Sequence, residues 1–467
     1  MIKKDLIVIG MGPAGMSISA MGSAMGLDVL AIEKHRVGGE CLNVGCIPSK
    51  ALLKAGEVTF IAKHLKEFGI EMGLDQRSND PMSVVREKIS GINNKKFMKV
   101  FEKVDLIIGK GTAHFLDSKV VEVDGVKYTA KNIFIATGTE PFIPPIPGLA
   151  DVPKLTNVNL FEIKKMPESL TIIGGGAIGT EMAQAFSRLG TRVNLVHMDA
   201  HLIPLGDEEA GRYLENFLIK EGIGIFNNEK ILKIEQKDGL IYTHTENRIL
   251  ESHEILVATG RKAVLEPLKL ENAKINYTPK GIIVDEYNRT NISHIYAVGD
   301  CNGHNLFSHA AMHQGMLALM HSISPINLPK LKRSNYVVPW SVFTKPEVAQ
   351  VGLTEKEATA KGIKYQVVKK DYSSYGRTVA DGHPEGFIKI LTNKRGKIYG
   401  ATIVGEAASE LIHEWTMAIQ YKKSMFDILM MMHSFPSISM LNKMVAEDWM
   451  MSVMDSNFIK KSIKLFT

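Results

Sequence analysis

Two stretches of this 467-residue chain repeat one plan, and the repetition limits the fold more than any other feature. Residues 5–34 read as an apolar strand, Leu6-Ile-Val-Ile9, then the loop Gly10-Met-Gly12-Pro-Ala-Gly15, a helix, and a second strand from Asp28 that ends at Glu33. Residues 170–197 repeat it with Leu170-Thr-Ile-Ile173, Gly174-Gly-Gly176-Ala-Ile-Gly179, a helix, and Arg192-Val-Asn-Leu-Val196. From first glycine to the end of the plan the distance is 23 residues both times, 10 to 33 and 174 to 197. One such glycine pattern is weak evidence, but two in full strand–loop–helix–strand context predict an α/β chain.

The chemistry of the loop follows from its glycines. The first permits a tight turn, the second lets backbone approach a pyrophosphate, and the third lets helix and strand pack closely. The helix N-terminus offers free N–H groups to the phosphates. An acidic residue about 20 positions on accepts hydrogen bonds from a ribose. Gly10, Gly12, Gly15 and Glu33 supply one complete set. Gly174, Gly176 and Gly179 supply a second, with His197 at the acidic position. Glycine turns that bind no nucleotide are the alternative, and two complete copies weigh against it. Two Rossmann-like dinucleotide sites in one chain suggest a flavin, FAD, and a nicotinamide, NADH or NADPH.

A reactive segment follows Glu33 directly: Gly38-Gly39-Glu40-Cys41-Leu-Asn-Val-Gly45-Cys46-Ile-Pro48-Ser-Lys50. Two cysteines separated by four residues, beside a glycine-rich turn and opening a helix, can close an internal disulfide. The helix N-terminus and Lys50 both favour a thiolate. A metal site is disfavoured, because no second Cys/His pair at ligand spacing accompanies them. Two small buried side chains are the bland alternative.

Composition sets outer limits. At roughly 150 residues per domain the length allows about three domains. The apolar fraction is 45% and the charged fraction 23%, as in an ordinary globular protein, which excludes a disordered chain or a small disulfide scaffold. The net charge of +6 is spread along the chain, so no nucleic-acid footprint is expected. Three cysteines, Cys41, Cys46 and Cys301, cannot staple a chain this long and point to a reducing compartment, the cytoplasm. No apolar run nears the ~20 residues that span a bilayer, so no membrane span is expected.

On the glycine loops and the cysteine segment the chain resembles the flavin-dependent pyridine nucleotide–disulfide oxidoreductases, a family that includes dihydrolipoamide dehydrogenase, glutathione reductase and mercuric reductase. The resemblance covers nearly the whole length. Ala136-Thr137-Gly138 and Ala258-Thr-Gly260 look like the two short segments that close each nucleotide-binding sheet. Ala297-Val-Gly299-Asp300 looks like the flavin-ribitol segment, and Val338-Pro-Trp-Ser-Val-Phe343 like the opening of a dimerisation domain. The resemblance implies FAD contacts at Gly39, Thr137, Gly138, Gly299 and Asp300, a nicotinamide contact at Gly260, and an ion pair between Lys50 and Glu181. It also implies a route: NAD(P)H reduces the flavin, and the flavin reduces a Cys41–Cys46 disulfide. Cys46 then lies against the flavin and Cys41 exchanges with substrate. A homodimer is implied as well.

The C-terminal region departs from the family. Relatives acting on disulfides carry His-Pro-Thr with a glutamate five residues after the histidine. Here the segment reads His433-Ser-Phe435-Pro436-Ser437-Ile-Ser-Met440, which sets Phe435 at the histidine and Met440 at the glutamate. Losing a positioned base costs about 10² to 10⁴ in rate. His433 is expected at the surface or an interface. The acceptors this leaves are a small-molecule or protein disulfide, as for a dihydrolipoyl dehydrogenase, or a soft metal ion of the mercuric type, a quinone or dioxygen. A flavin redox sensor is a third option. Nine of the 24 methionines fall between Met425 and Met454. Packing is the favoured reading over soft-metal binding, and no metal site is assigned.

At the second nucleotide loop a carboxylate would favour NADH and an arginine NADPH. His197, Met198 and His201 offer neither, and a protonated histidine meeting a phosphate tips the expectation toward NADPH. The expected order is an FAD-binding domain over 1–149, an NAD(P)-binding domain over 150–275, the rest of the FAD-binding domain over 276–335, and an α+β dimerisation domain over 336–467.

Overall fold

The computed structural model describes residues 1–71, 80–92, 95–324 and 326–455. The chain divides into two compact units built from interleaved segments. The first comprises 1–170, 233–243 and 251–336, and the second 171–232, 244–250 and 337–467.

The first unit is organised by a seven-stranded sheet. Strand β1 (Ile2–Ile9) lies between β2 (Val29–Glu33) and β6 (Val126–Ile135), both parallel to it. Strand β3 (Asp105–Ile108) extends the sheet beyond β2, and β5 (Val120–Val123) and β4 (His114–Phe115) continue it antiparallel beyond β6. Strand Ile295–Ala297 returns from far along the chain to pair in parallel with β6.

Alternation along β1 explains why its residues are apolar without a break. Leu6 and Val8 face one core with Ile18, Phe134 and Val298, whereas Ile7 and Ile9 face another with Phe115, Val121 and Leu268. Successive side chains of a strand point to opposite faces, so a sheet covered on both sides has no polar face to show. Helix α1 (Pro13–Ala24) covers the first core together with helix Ser308–Ile323. Two further helices, the short α2 (Gly39–Val44) and the longer α3 (Cys46–Lys63), carry the cysteine segment.

The second unit holds the repeat of the plan. It comprises β7 (Ser169–Ile173), α4 (Ala177–Arg188), β8 (Arg192–Val196), α5 (Glu208–Lys220) and β9 (Gly224–Phe226), with β8 between β7 and β9. It also holds an antiparallel five-stranded sheet: β10 (Trp340–Val342), β11 (Glu347–Gly352), β12 (Gln366–Asp371), β13 (Phe387–Thr392) and β14 (Ile398–Gly405). Their order is β10-β11-β14-β13-β12. Helices α6 (Ala408–Gln420) and α7 (Met440–Met454) pack on it through Leu411, Ile412, Trp415, Leu441, Val445 and Trp449. Among the described residues no helix is long and apolar enough to cross a membrane.

Candidate active site

The first glycine loop is shaped by contacts that tolerate no side chain. Gly10 turns with φ +100°, and a Cβ there would sit 2.4 Å from the Ala136 carbonyl oxygen. A Cβ on Gly15 would sit 1.9 Å from the Gly10 carbonyl oxygen. Gly12, at the N-cap of α1, faces open space and has no side chain capping the helix. Free N–H groups aimed at open space form an anion seat. Glu33, at the end of β2, is buried and accepts hydrogen bonds from the Met11 N–H (2.7 Å) and the His35 N–H (2.8 Å). Those two bonds leave part of its four-acceptor capacity for ribose hydroxyls. The second loop copies the geometry: Gly174 turns with φ +113°, a Cβ on Gly179 would sit 1.9 Å from the Gly174 oxygen, and Gly176 is open.

The cysteine segment is seated on the first loop. The Gly38 N–H donates to the Met11 carbonyl (2.8 Å), and a Cβ on Gly39 would lie 2.8 Å from the Gly12 Cα. Asn43 Nδ2 donates to the Val37 and Gly39 carbonyls and closes the turn. Cys41 lies within α2 and Cys46 opens α3; the two are not joined as a disulfide in this structure. The hydrogen bond to Cys46, then burial, then the charge of Cys46 push the Cys41 thiol far up, while the Ser308 hydroxyl pulls the other way. The Cys46 Sγ lies 3.4 Å from the Ser308 Oγ in the first turn of helix Ser308–Ile323.

A polar chain that sequence reading missed runs behind the cysteines. Glu40 Oε2 accepts from Arg261 Nη2 in an ion pair and from Asn157 Nδ2 (3.0 Å). Arg261 donates to the Thr139 hydroxyl through Nε (2.7 Å) and to the Thr139 carbonyl through Nη2 (2.8 Å). The Thr139 hydroxyl in turn donates to Asp300 Oδ2 (3.3 Å). Burial raises the Asp300 carboxyl above its ordinary value, opposed by Arg261 and Thr139. The one available signal was Glu40 itself, an acidic residue in an otherwise small and apolar turn.

The remaining expected residues fall in both units. Thr137 and Gly138 lie between β6 and Thr139, with Gly138 at φ +66°, and the Thr137 hydroxyl donates to the Val264 carbonyl (3.5 Å). The Gly299 N–H donates to Gln314 Oε1 (2.9 Å). The Gly260 carbonyl accepts from the Phe142 N–H (2.9 Å) within the first unit. Cys301 is a packed thiol, pushed up to about 12 by burial. Lys50 donates to the Ser49 Oγ (3.4 Å) in the first unit, and Glu181, buried on α4, accepts from the Phe343 N–H (3.0 Å) in the second. His197 is buried at the end of β8.

His433, expected at the surface or an interface, has a side chain shielded within the chain itself. Its side chain is 3% exposed, and Nε2 lies 3.1 Å from Glu414 Oε1. The Asn442 Nδ2 holds the same carboxylate (2.8 Å), so α6 and α7 draw the imidazole inward. Phe435 is 78% exposed, with its ring edge-on to Tyr375. The methionines divide: Met425 is fully buried, while Met430, Met432 and Met451 are exposed. Among the described residues no cluster of His, Cys, Asp or Glu could hold a metal ion.

Two glycine-loop nucleotide folds and a paired-cysteine segment seated on one of them define a class of dithiol oxidoreductase. Residues 4–315 match the family model described as pyridine nucleotide-disulphide oxidoreductase, and residues 338–445 match its dimerisation domain. The chain belongs to this family. It is 34% identical over 433 residues to a mercuric reductase of Bacillus cereus, covering 91% of this chain and 68% of that one. It is 35% identical over 450 residues to a dihydrolipoyl dehydrogenase of Thermus scotoductus, covering 93% and 95%. Among solved structures it is similar to the HOCl-induced flavoprotein disulfide reductase RclA of Escherichia coli, with TM-score 0.85, 24% identity, and 96% and 99% of the two chains covered. The family is flavin-dependent, and its members use FAD and NAD(P)H. The open seat at Gly12, the free acceptor capacity of Glu33 and the half-buried Asp300 suit a flavin dinucleotide.

Proposed function

We propose that the chain passes electrons from NAD(P)H to the Cys41–Cys46 pair and on to a small acceptor that needs no proton from the protein. A soft metal ion is the first such acceptor, and a quinone or dioxygen the second. The reading rests on the C-terminal segment: Phe435 and Met440 carry no acid–base group, and His433 is committed to Glu414. Bound FAD would supply two-electron exchange between a nicotinamide and a dithiol. Gly10, Gly12, Gly15, Glu33, Gly39, Thr137, Gly138, Gly299 and Asp300 would hold it. Lys50 and Glu181 would form the supporting ion pair, and Gly174, Gly176, Gly179, His197 and Gly260 would bind the coenzyme.

The thiols suit a soft ion, because thiolate sulfur is a soft ligand and two cysteines lie close together, Cys41 hydrogen-bonded to Cys46. Oxidation of the two thiols to a disulfide releases two protons and two electrons, which reduce one Hg(II) to the metal. The mercuric reductase relatives support this acceptor. The dihydrolipoyl dehydrogenase relatives favour a disulfide, but the rate of thiol–disulfide exchange would suffer without the base. We propose a homodimer, with the segment around Phe435 entering the partner's site, in a reducing compartment. The four-part order of FAD-binding, NAD(P)-binding, FAD-binding and dimerisation domains over 1–149, 150–275, 276–335 and 336–467 is proposed with it.

The test is anaerobic and aerobic coenzyme oxidation by the FAD holoenzyme with Hg(II), Cu(II), a benzoquinone, lipoamide and oxidised glutathione. Turnover with an ion or quinone should exceed lipoamide turnover by at least about 10². Cys41→Ser should abolish reduction of the metal ion. Lipoamide turnover equal to that with the best ion or quinone would overturn the reading.

A further inference from the structure

The second glycine loop ends beside a histidine whose bonding selects between coenzymes. The His197 side chain is 3% exposed at the end of β8, and a Cβ on Gly175 would meet its ring at 2.8 Å. The imidazole therefore leans directly over the loop whose open Gly176 faces the phosphate seat. Its backbone is fixed on both sides: the N–H donates to the Phe226 carbonyl (3.1 Å), and its carbonyl accepts from the Glu229 N–H (3.0 Å).

The two ring nitrogens are differently engaged. Nε2 lies 2.6 Å from Asn227 Oδ1, which can only accept, so Nε2 carries the proton. Nδ1 is buried and has no hydrogen-bond partner. In that tautomer it presents a lone pair, the property a hydroxyl donor seeks and a phosphate oxygen avoids. The Asp199 carboxylate stands 3.8 Å from the same Nδ1, with its side chain 58% exposed.

The basic groups of the surrounding segments are turned to other work. His201 donates from Nδ1 to the Leu202 carbonyl (2.8 Å) and packs on Gly211 of α5. Arg248 pairs with the buried Glu229 (2.9 Å) and stacks on the Phe226 ring. Lys230 is exposed, and residues 198–205 contain no lysine or arginine. A 2′-phosphate would meet a lone pair and a carboxylate where it needs an arginine.

We propose that the coenzyme is NADH: Nδ1 of His197 accepts a hydrogen bond from an adenosine ribose hydroxyl, and Asp199 excludes the 2′-phosphate of NADPH. This reverses the expectation drawn from a protonated His197. It rests on the reading that a nicotinamide dinucleotide occupies the Gly174–Gly179 loop.

The experiment is calorimetric titration of the oxidised FAD holoenzyme with NAD⁺ and with NADP⁺, which bind without transferring electrons. NAD⁺ should bind at least about 10-fold tighter, since juxtaposed like charges cost several kcal/mol. In Asp199→Asn the preference should narrow through a gain in NADP⁺ affinity. In His197→Phe, which keeps a ring over Gly175, NAD⁺ should weaken several-fold. Equal or tighter NADP⁺ binding by the unaltered protein overturns the inference while leaving the coenzyme site intact. An unchanged preference in Asp199→Asn overturns it too. Binding of neither nucleotide overturns both this inference and the reading beneath it.

Discussion

Glu40 and Arg261, 221 positions apart in the chain, are joined as an ion pair whose guanidinium also grips both oxygens of Thr139. The residue before the first redox cysteine is thereby tied, through Thr139, to Asp300. Hydrogen bonds to charged groups contribute about 1.5–3 kcal/mol each. Arg261→Met should therefore lower the melting temperature and weaken flavin retention by at least about 10-fold, read as FAD fluorescence released on dilution. Unchanged flavin retention would show that Asp300 needs no help from this chain of bonds.

The reduced cysteine pair makes a prediction with a definite sign. Cys41 is raised by its hydrogen bond to Cys46, by burial, and by the charge of Cys46. In Cys46→Ser the neighbour is a neutral hydroxyl at all ordinary pH, so the main source of the rise is gone. The midpoint of Cys41 alkylation against pH, followed by peptide mass spectrometry, should fall below that of the reduced wild type. A midpoint that stays or climbs would show that burial alone governs Cys41.

On the proposed reading, supplying acid–base groups at these two positions should raise disulfide turnover. Phe435→His combined with Met440→Glu is expected to raise lipoamide turnover by about 10² or more, within the range of a positioned base. Metal-ion or quinone turnover should change far less. If lipoamide turnover stays flat while the double variant folds normally, a different feature limits disulfide substrates.

Lys389 sits 2% exposed on β13 among Asp207 (2.7 Å), Glu355 (2.9 Å) and Glu209 (3.0 Å). Removing the lysine leaves Asp207 (2% exposed) buried without its partner, while Glu209 and Glu355 (43% and 40%) stay solvated, so the cost is about 3 kcal/mol. Lys389→Met should show that loss as a lower urea midpoint. Burial opposes the charge on Lys389, but hydrogen bonds to Asp207 and Glu355 prevail and hold its ionisation above the ordinary lysine value. A raised lysine contributes stability that is complete below about pH 10.4 and is lost as pH rises toward the folded value. The wild type should thus lose more stability above pH 10.4 than the variant. Parallel losses would sink the assignment.

The fold was largely legible because both glycine loops carry a full local grammar: an unbroken apolar strand, a turn only glycine can make, and a helix opening at once. The partners of Glu40 were not legible, since Asn157, Thr139 and Arg261 come from separate loops and no spacing rule links them. The burial of the His433 side chain was not legible, since it depends on Glu414 and Asn442 from other helices, while its neighbours Met432 and Phe435 are exposed. At His197 the residue type was plain, but its proton is fixed by Asn227, thirty positions later.

Strand Ile295–Ala297 pairs with β6, and helix Ser308–Ile323 packs on α1, so the loop at Gly10–Gly15 is synthesised well before the segments that enclose it. A chain emerging from the ribosome at 5–20 residues per second would leave the sheet of β1 to β6 waiting for its last strand for roughly 8 to 30 seconds. Meanwhile the second glycine loop, at Gly174, is already translated and offers an equally inviting apolar strand. Order of synthesis therefore exposes this protein to a hazard its finished structure hides: the nascent chain must keep two look-alike half-sheets from finding each other before the proper strand arrives.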